Sequence, residues 1–193
     1  LILLFLAGPR VTVEHRPYAE VLPDDLISHL AASEAAYPDI TPGAEKTIIW
    51  ANPQHQQTEL AIVYLHGFSA TRQETAPLCD DLAVSLAANL FYTRLTGHGR
   101  SNAAMAEASA GDWLKDAEEA LAIGKRLGRK VIIIGTSTGG TLATWLAATQ
   151  NDPQVLAYVL LSPNFAPKDP AAQVLSWPWA ANFVPLLLGP ERQ

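Results

Sequence analysis

The sequence predicts an α/β fold, a mostly parallel sheet with helices on both faces. Three observations carry this expectation. From residue 46 onward, short apolar runs alternate with segments of helical period. The runs at 60–65 and 131–134 are almost continuously apolar, as strands buried on both faces are. Two helix-start patterns, Thr71-Arg72-Gln73-Glu74 and Ser109-Ala110-Gly111-Asp112, fall between the runs.

Taken in order, residues 46–50 read as the first strand and 60–65 as the second. Thr71 and Glu74 form a capping-box pattern ahead of an apolar-periodic stretch that continues through Ala88. Residues 89–95 are the third strand. The helix after Ser109 places Trp113, Ala117, Ala120, Leu121 and Gly124 on one face. Its charged residues Lys115, Asp116, Glu118, Glu119 and Lys125 read as a solvated face. Residues 131–134 are the fourth strand, 138–150 the next helix and 155–161 the fifth strand. This succession predicts right-handed crossovers. Upstream, residues 23–36 read as a helix or an irregular segment. The expected organisation is an N-terminal segment over 1–44 and a core over 45–163. Residues 164–193, where proline and tryptophan become frequent, read as the start of a cap.

Composition narrows the function. Hydrophobic residues make up 49% and charged residues 17%, as in an ordinary globular chain. The formal net charge of −6 argues against nucleic acid as a partner. The single cysteine, Cys79, excludes an internal disulfide, and its place beside Leu78 and Leu82 reads as core filling. No Cys/His cluster has metal-ligand spacing, so no metal and no other cofactor is expected. The chain opens on seven apolar residues, Leu1 to Ala7, too few for the about 20 that span a bilayer. They read as the remnant of a signal peptide or membrane anchor. That favours membrane association through the N-terminus, or an extracytoplasmic placement, over a cytoplasmic one.

The most informative stretch is Gly135-Thr136-Ser137-Thr138-Gly139. It follows the strand at 131–134 and precedes an Ala- and Leu-rich helix. In that setting a Gly-x-Ser-x-Gly pentapeptide is the sharp turn that lifts a serine hydroxyl clear of a sheet, with a helix N-terminus beneath it. Two further loops leave strand ends at the same edge: His66-Gly67-Phe68 after Leu65, and Gly97-His98-Gly99-Arg100-Ser101 after Leu95.

With these three motifs in this order, residues 45–165 resemble the α/β-hydrolase superfamily, in particular its esterase and monoacylglycerol-lipase-like members. The resemblance implies Ser137 as nucleophile and the backbone amides of Phe68 and Thr138 as the oxyanion hole. It implies that His66 and Gly67 shape the site loop, and that the substrate is a small-molecule acyl ester. His98 reads as structural, Ser101 as a cap, and Arg94 and Arg100 as surface residues. Epoxide hydrolases and haloalkane dehalogenases are disfavoured, because they carry Asp where this chain has Ser137.

A serine nucleophile needs a general base, and this fold orders its triad Ser, acid, His. All five histidines (His15, His29, His55, His66 and His98) precede Ser137, and only Asp152, Asp169 and Glu191 follow it as acids. Asp152 reads as structural; Asp169 is the one candidate at the correct edge. The chain therefore reads as an N-terminal fragment, inactive alone, of a hydrolase whose acid, histidine and last strands lie beyond Gln193. On that reading Trp177, Trp179, Phe183, Val184 and the leucines at 186–188 begin a lid for a lipid-like acyl chain. The alternative is a non-catalytic α/β-hydrolase-fold binding protein.

Overall fold

Five strands form one sheet in the order β1-β3-β2-β4-β5. In chain order the elements are α1 (Leu26–Ala35), β1 (Thr47–Ile49), β2 (Thr58–Leu65), a 3-10 turn (Arg72–Thr75) and α2 (Leu78–Ser85). Then come β3 (Asn89–Tyr92), α3 (Asn102–Glu107), α4 (Ala110–Leu127), β4 (Gly128–Thr136), α5 (Thr138–Thr149) and β5 (Val155–Leu161). Only β1 runs antiparallel, against β3; the other pairings are parallel. This computed structural model describes residues 7–9, 12–166, 173–174, 177–180 and 182–183. The chain divides into two units, His15–Asn164 and a second of Leu1–Glu14 with Phe165–Gln193. In the second unit, Trp179 N–H donates to the Pro9 carbonyl at 2.8 Å. The opening run at 1–6, Asp169, Val184, the leucines at 186–188 and Glu191 lie outside the described residues.

Pleat alternation divides the core between two faces. Ala61, Val63 and Leu65 of β2 join Val131 and Ile133 of β4 in a cluster with α1, α4 and α5. Ile62 and Tyr64 point the other way, into a cluster with Cys79 and Ala83 of α2. Helices thus cover both faces, and β2 is buried from Ala61 to Leu65 because neither face meets water. At the far edge, β5 leaves Leu156, Val159 and Leu160 exposed.

The connections decide where a site can form. The chain leaves β2 toward β3 on one side, and leaves β4 toward β5 on the other. The loops after β2 and β4 therefore diverge, opening a crevice at the carboxyl ends of two adjacent strands, where ligands of open α/β sheets bind. The residues after these strands are His66-Gly67-Phe68 and Ser137.

Four sequence expectations need correction. The third strand stops at Tyr92 instead of residue 95, because Leu95 N–H turns from the ladder to donate to His66 Nε2 at 3.1 Å. The box at Ser109 forms, with Asp112 returning the bond, but the one at Thr71 does not. Thr71 caps only a 3-10 turn, Glu74 points elsewhere, and α2 starts anew after Pro77, which has no N–H to donate. The charges of α4 are not a solvated face. Asp116 and Glu119 are buried, because residues 15–46 lie over that side: Lys46 pairs with Glu119 at 2.5 Å, and His15 and the Tyr18 amide bond Glu118. Arg94, read as a surface residue, is buried beneath the same segment.

Candidate active site

Ser137 occupies the apex of the turn between β4 and α5 with φ 49° and ψ −112°. A non-glycine residue holds such a backbone at a cost of about 1–3 kcal/mol, and only where its surroundings over-determine it. Here Ser137 N–H donates to the Leu161 carbonyl at 2.9 Å. Its own carbonyl accepts from Asn164 N–H at 3.0 Å and Thr141 N–H at 3.1 Å. The flanking glycines are required by space. A Cβ on Gly135 would overlap the Gly139 carbonyl, and a Cβ on Gly139 would overlap the Leu65 carbonyl oxygen. Strand β2 and α5 touch there with no room for a methyl group.

The loop after β2 lies against this turn. A Cβ built on Gly67 would stand 3.3 Å from the Cβ of Ser137. Thr138 is the first residue of α5, so its amide has no acceptor within the helix. Phe68 is exposed, and its ring meets those of His98 and Trp113, each 5.9 Å between centroids. His66 is fully buried. Its Nδ1 donates to the Gly67 carbonyl at 2.9 Å, and its Nε2 accepts from Leu95 N–H. Burial pushes its protonation down to about 4, so at neutral pH it is an uncharged ring with both nitrogens engaged. It has none left to take a proton from Ser137.

Behind this loop lies the segment from Arg94 to Ser101. Arg94 makes a bidentate ion pair with Glu34 of α1, Nε to Oε2 at 2.9 Å and Nη2 to Oε1 at 2.8 Å. Its third donor reaches the His98 carbonyl at 3.1 Å. Arg100 pairs with Asp39 at 2.7 Å and lies over the Tyr37 ring. The buried His98 ring packs 4.9 Å from His66, with Nδ1 against the Thr96 carbonyl at 3.2 Å. Ser101 caps α3 by accepting from Ala104 N–H. Asp152 is tied to Lys125 at 2.6 Å and to Gln154 N–H at 2.8 Å, below the sheet's other end. Among the described residues no group of three His, Cys, Asp or Glu side chains could hold a metal ion.

Asp116 of α4 pins the segment by accepting from Thr96 N–H at 2.5 Å and Thr96 Oγ1 at 3.1 Å. Burial outweighs the nearby Lys46 and these bonds, and raises its pKa to about 6. A carboxyl whose folded value exceeds its unfolded one stabilises the fold while protonated, and that contribution is lost as pH rises toward 6. The charged form then costs on the order of 3 kcal/mol. Asp116→Asn is therefore expected to raise the melting temperature by several degrees at pH 8 and to leave it near wild type at pH 4. What remains in that variant is the opposite slope of His66, whose depressed value removes stability as pH falls from about 6.5 to 4. Melting curves across pH 4–8 read both slopes.

The family model described as serine aminopeptidase, S33, matches residues 56–192. The chain is an S33-family α/β-hydrolase. Over 93 residues this chain is 29% identical to a thermostable monoacylglycerol lipase of Bacillus sp. (strain H-257), covering 48% of this chain and 37% of that protein. A solved structure of LipS and LipT, two metagenome-derived lipolytic enzymes, superposes with a TM-score of 0.62 at 25% identity. The match covers 72% of this chain and 53% of the solved chain. Est1E from Butyrivibrio proteoclasticus, solved with ferulic acid bound, shares the fold at a TM-score of 0.52 and 19% identity. That match covers 67% of this chain and 50% of Est1E. The chain thus spans about half the length of the two solved relatives and 37% of the Bacillus lipase.

Proposed function

We propose that the full-length protein is a serine hydrolase that cleaves carboxylic esters through an acyl-enzyme on Ser137. The observation that carries this reading is the Ser137 backbone itself. A strained turn at a helix N-terminus, with Ser137 Cβ 3.3 Å from where a Cβ on Gly67 would stand, supports a hydroxyl that works with the amides of Phe68 and Thr138. In the proposed cycle Ser137 Oγ attacks the ester carbonyl carbon, and the negative charge that develops on its oxygen is received by the Phe68 and Thr138 amides. The bond to the alcohol breaks, and the alcohol leaves with the proton taken from Ser137. Water then hydrolyses the acyl-serine.

The base that carries this proton, and the acid that orients it, are assigned to sequence beyond Gln193. His66 and Asp152 are both engaged in other bonds. A lipid-like acyl chain is the proposed substrate class. It rests on the monoacylglycerol lipase of Bacillus and the lipolytic LipS and LipT among the chain's relatives. The experiment is to trap the acyl group on the full-length protein and locate the residue that carries it.

A further inference from the structure

Glu74 is a residue whose placement neither its sequence pattern nor the proposed cycle explains. The pattern Thr71-x-x-Glu74 predicts that the carboxylate turns back to cap Thr71. Instead its Oε2 accepts from the Gly67 amide at 2.8 Å and from the Tyr64 hydroxyl at 3.0 Å. The position of a Cβ on Gly67 lies 2.7 Å from Glu74 Oε1 and 3.3 Å from Ser137 Cβ. The carboxylate and the serine therefore face the same glycine, both in contact distance of one point.

We propose that Glu74 is a positioning residue for the oxyanion hole: it grips the Gly67 amide and thereby sets the direction of the Phe68 amide. This rests on the reading of Ser137 as an acylating nucleophile. The geometry follows from two consecutive peptide planes. The Gly67 carbonyl and the Phe68 N–H belong to one plane and point in opposite directions. That plane is held at its oxygen by His66 Nδ1 at 2.9 Å and by Ala70 N–H at 3.3 Å. The preceding plane, which carries the Gly67 N–H, is held by Glu74. Gly67 has no side chain to restrict the rotation between the two planes. With the Gly67 amide free, the loop that carries the Phe68 amide would be held at one plane alone; with both planes gripped, the direction of that amide is fixed.

The same carboxylate also ties this loop to the serine turn. The Tyr64 phenol has one proton, which goes to the carboxylate, so the Thr136 hydroxyl at 3.0 Å donates to the phenol oxygen. Thr136 immediately precedes Ser137. One relay thus joins the residue before the nucleophile to the residue before the oxyanion donor. A negative charge so close to a developing oxyanion would oppose it by Coulomb repulsion. Reach and acceptor geometry, not charge, are therefore the properties of Glu74 that serve the site.

The test uses the full-length protein with a p-nitrophenyl ester and, separately, a trifluoromethyl ketone, whose serine adduct carries an oxyanion. Glu74→Ala is expected to lower kcat by about 10–100-fold with KM within about threefold, and to weaken the ketone by the same factor as kcat. Glu74→Gln keeps the acceptor and the reach without the charge, and should stay within about threefold of wild type. Glu74→Asp keeps the charge but is one methylene short, and should fall with the alanine variant. If Glu74→Ala does not fold, the Gln and Asp pair carries the comparison. A wild-type kcat in Glu74→Ala, or rescue by Asp and not by Gln, overturns the proposal. A wild-type protein with no ester turnover removes the Ser137 reading first, and this inference with it.

Discussion

Exchanging Ser137 for alanine in the full-length protein is expected to lower ester turnover by about 10⁴-fold or more, with little change in stability. On the proposed reading, the Ser137 hydroxyl is the group that forms the bond to the substrate. The amides of Phe68 and Thr138, the proposed oxyanion hole, remain in the variant and would still polarise a bound carbonyl, which accounts for the small residual rate expected. Its stability should hold or rise slightly, since alanine meets the same backbone demands and the Ser137 bonds to Leu161, Asn164 and Thr141 are all main-chain. Steady-state kinetics with a short-chain p-nitrophenyl ester, beside a melting curve, separates the two effects. Turnover within tenfold of wild type would mean that another group attacks the ester.

Gly139→Ala should produce the largest loss of stability. Its methyl group would overlap the Leu65 carbonyl oxygen, stand 2.5 Å from the Leu65 carbonyl carbon and 2.8 Å from the His66 carbonyl oxygen. All three are backbone atoms at the end of a central strand, so no side chain can rotate away. Helix α5 would have to lift from β2, and overpacking of this kind costs about 1–3 kcal/mol or more. The same displacement moves Ser137 away from the Gly67-Phe68 loop, and a shift of about 1 Å in a reacting group can cost 10²-fold in rate. Gly140→Ala is the control. Its methyl group would meet Pro163 Cβ at 3.0 Å, and Pro163 Cα and the Gly135 carbonyl oxygen at 3.1 Å, so its neighbours need give by only a few tenths of an ångström. Chemical denaturation of both variants should place Gly139→Ala well below Gly140→Ala, and equal midpoints would contradict the packing described here.

Much of this was legible in the sequence, for physical reasons. Buried parallel strands write themselves as unbroken apolar runs, so β2, β4 and β5 could be placed to within a few residues. The turn at Ser137 was legible because its backbone demands glycine at fixed offsets, and steric demands of that kind leave a mark in the chain. The charged residues were not legible. Asp116 and Glu119 read as solvated because a helix pattern shows which residues are charged, not what covers them. The cover comes from residues 15–46, a segment with one short helix and little periodicity of its own. Arg94 was misread for the same reason: its partner Glu34 is 60 positions away. Glu74 was misassigned because a local pattern explained it well enough, whereas the acceptor it serves, the Gly67 amide, is set by the loop's tertiary fold. No sequence rule links a 3-10 turn to the strand-end loop before it.

The acyl-enzyme is the central claim, and it can be weighed directly. The full-length protein would be treated with a fluorophosphonate, digested, and the mass of each serine-bearing peptide measured. The expected result is one stoichiometric adduct on the peptide that carries Ser137, none in Ser137→Ala, and loss of ester turnover in proportion to labelling. An adduct on Ser101 or on any other residue, or full labelling of Ser137 with turnover intact, would contradict it.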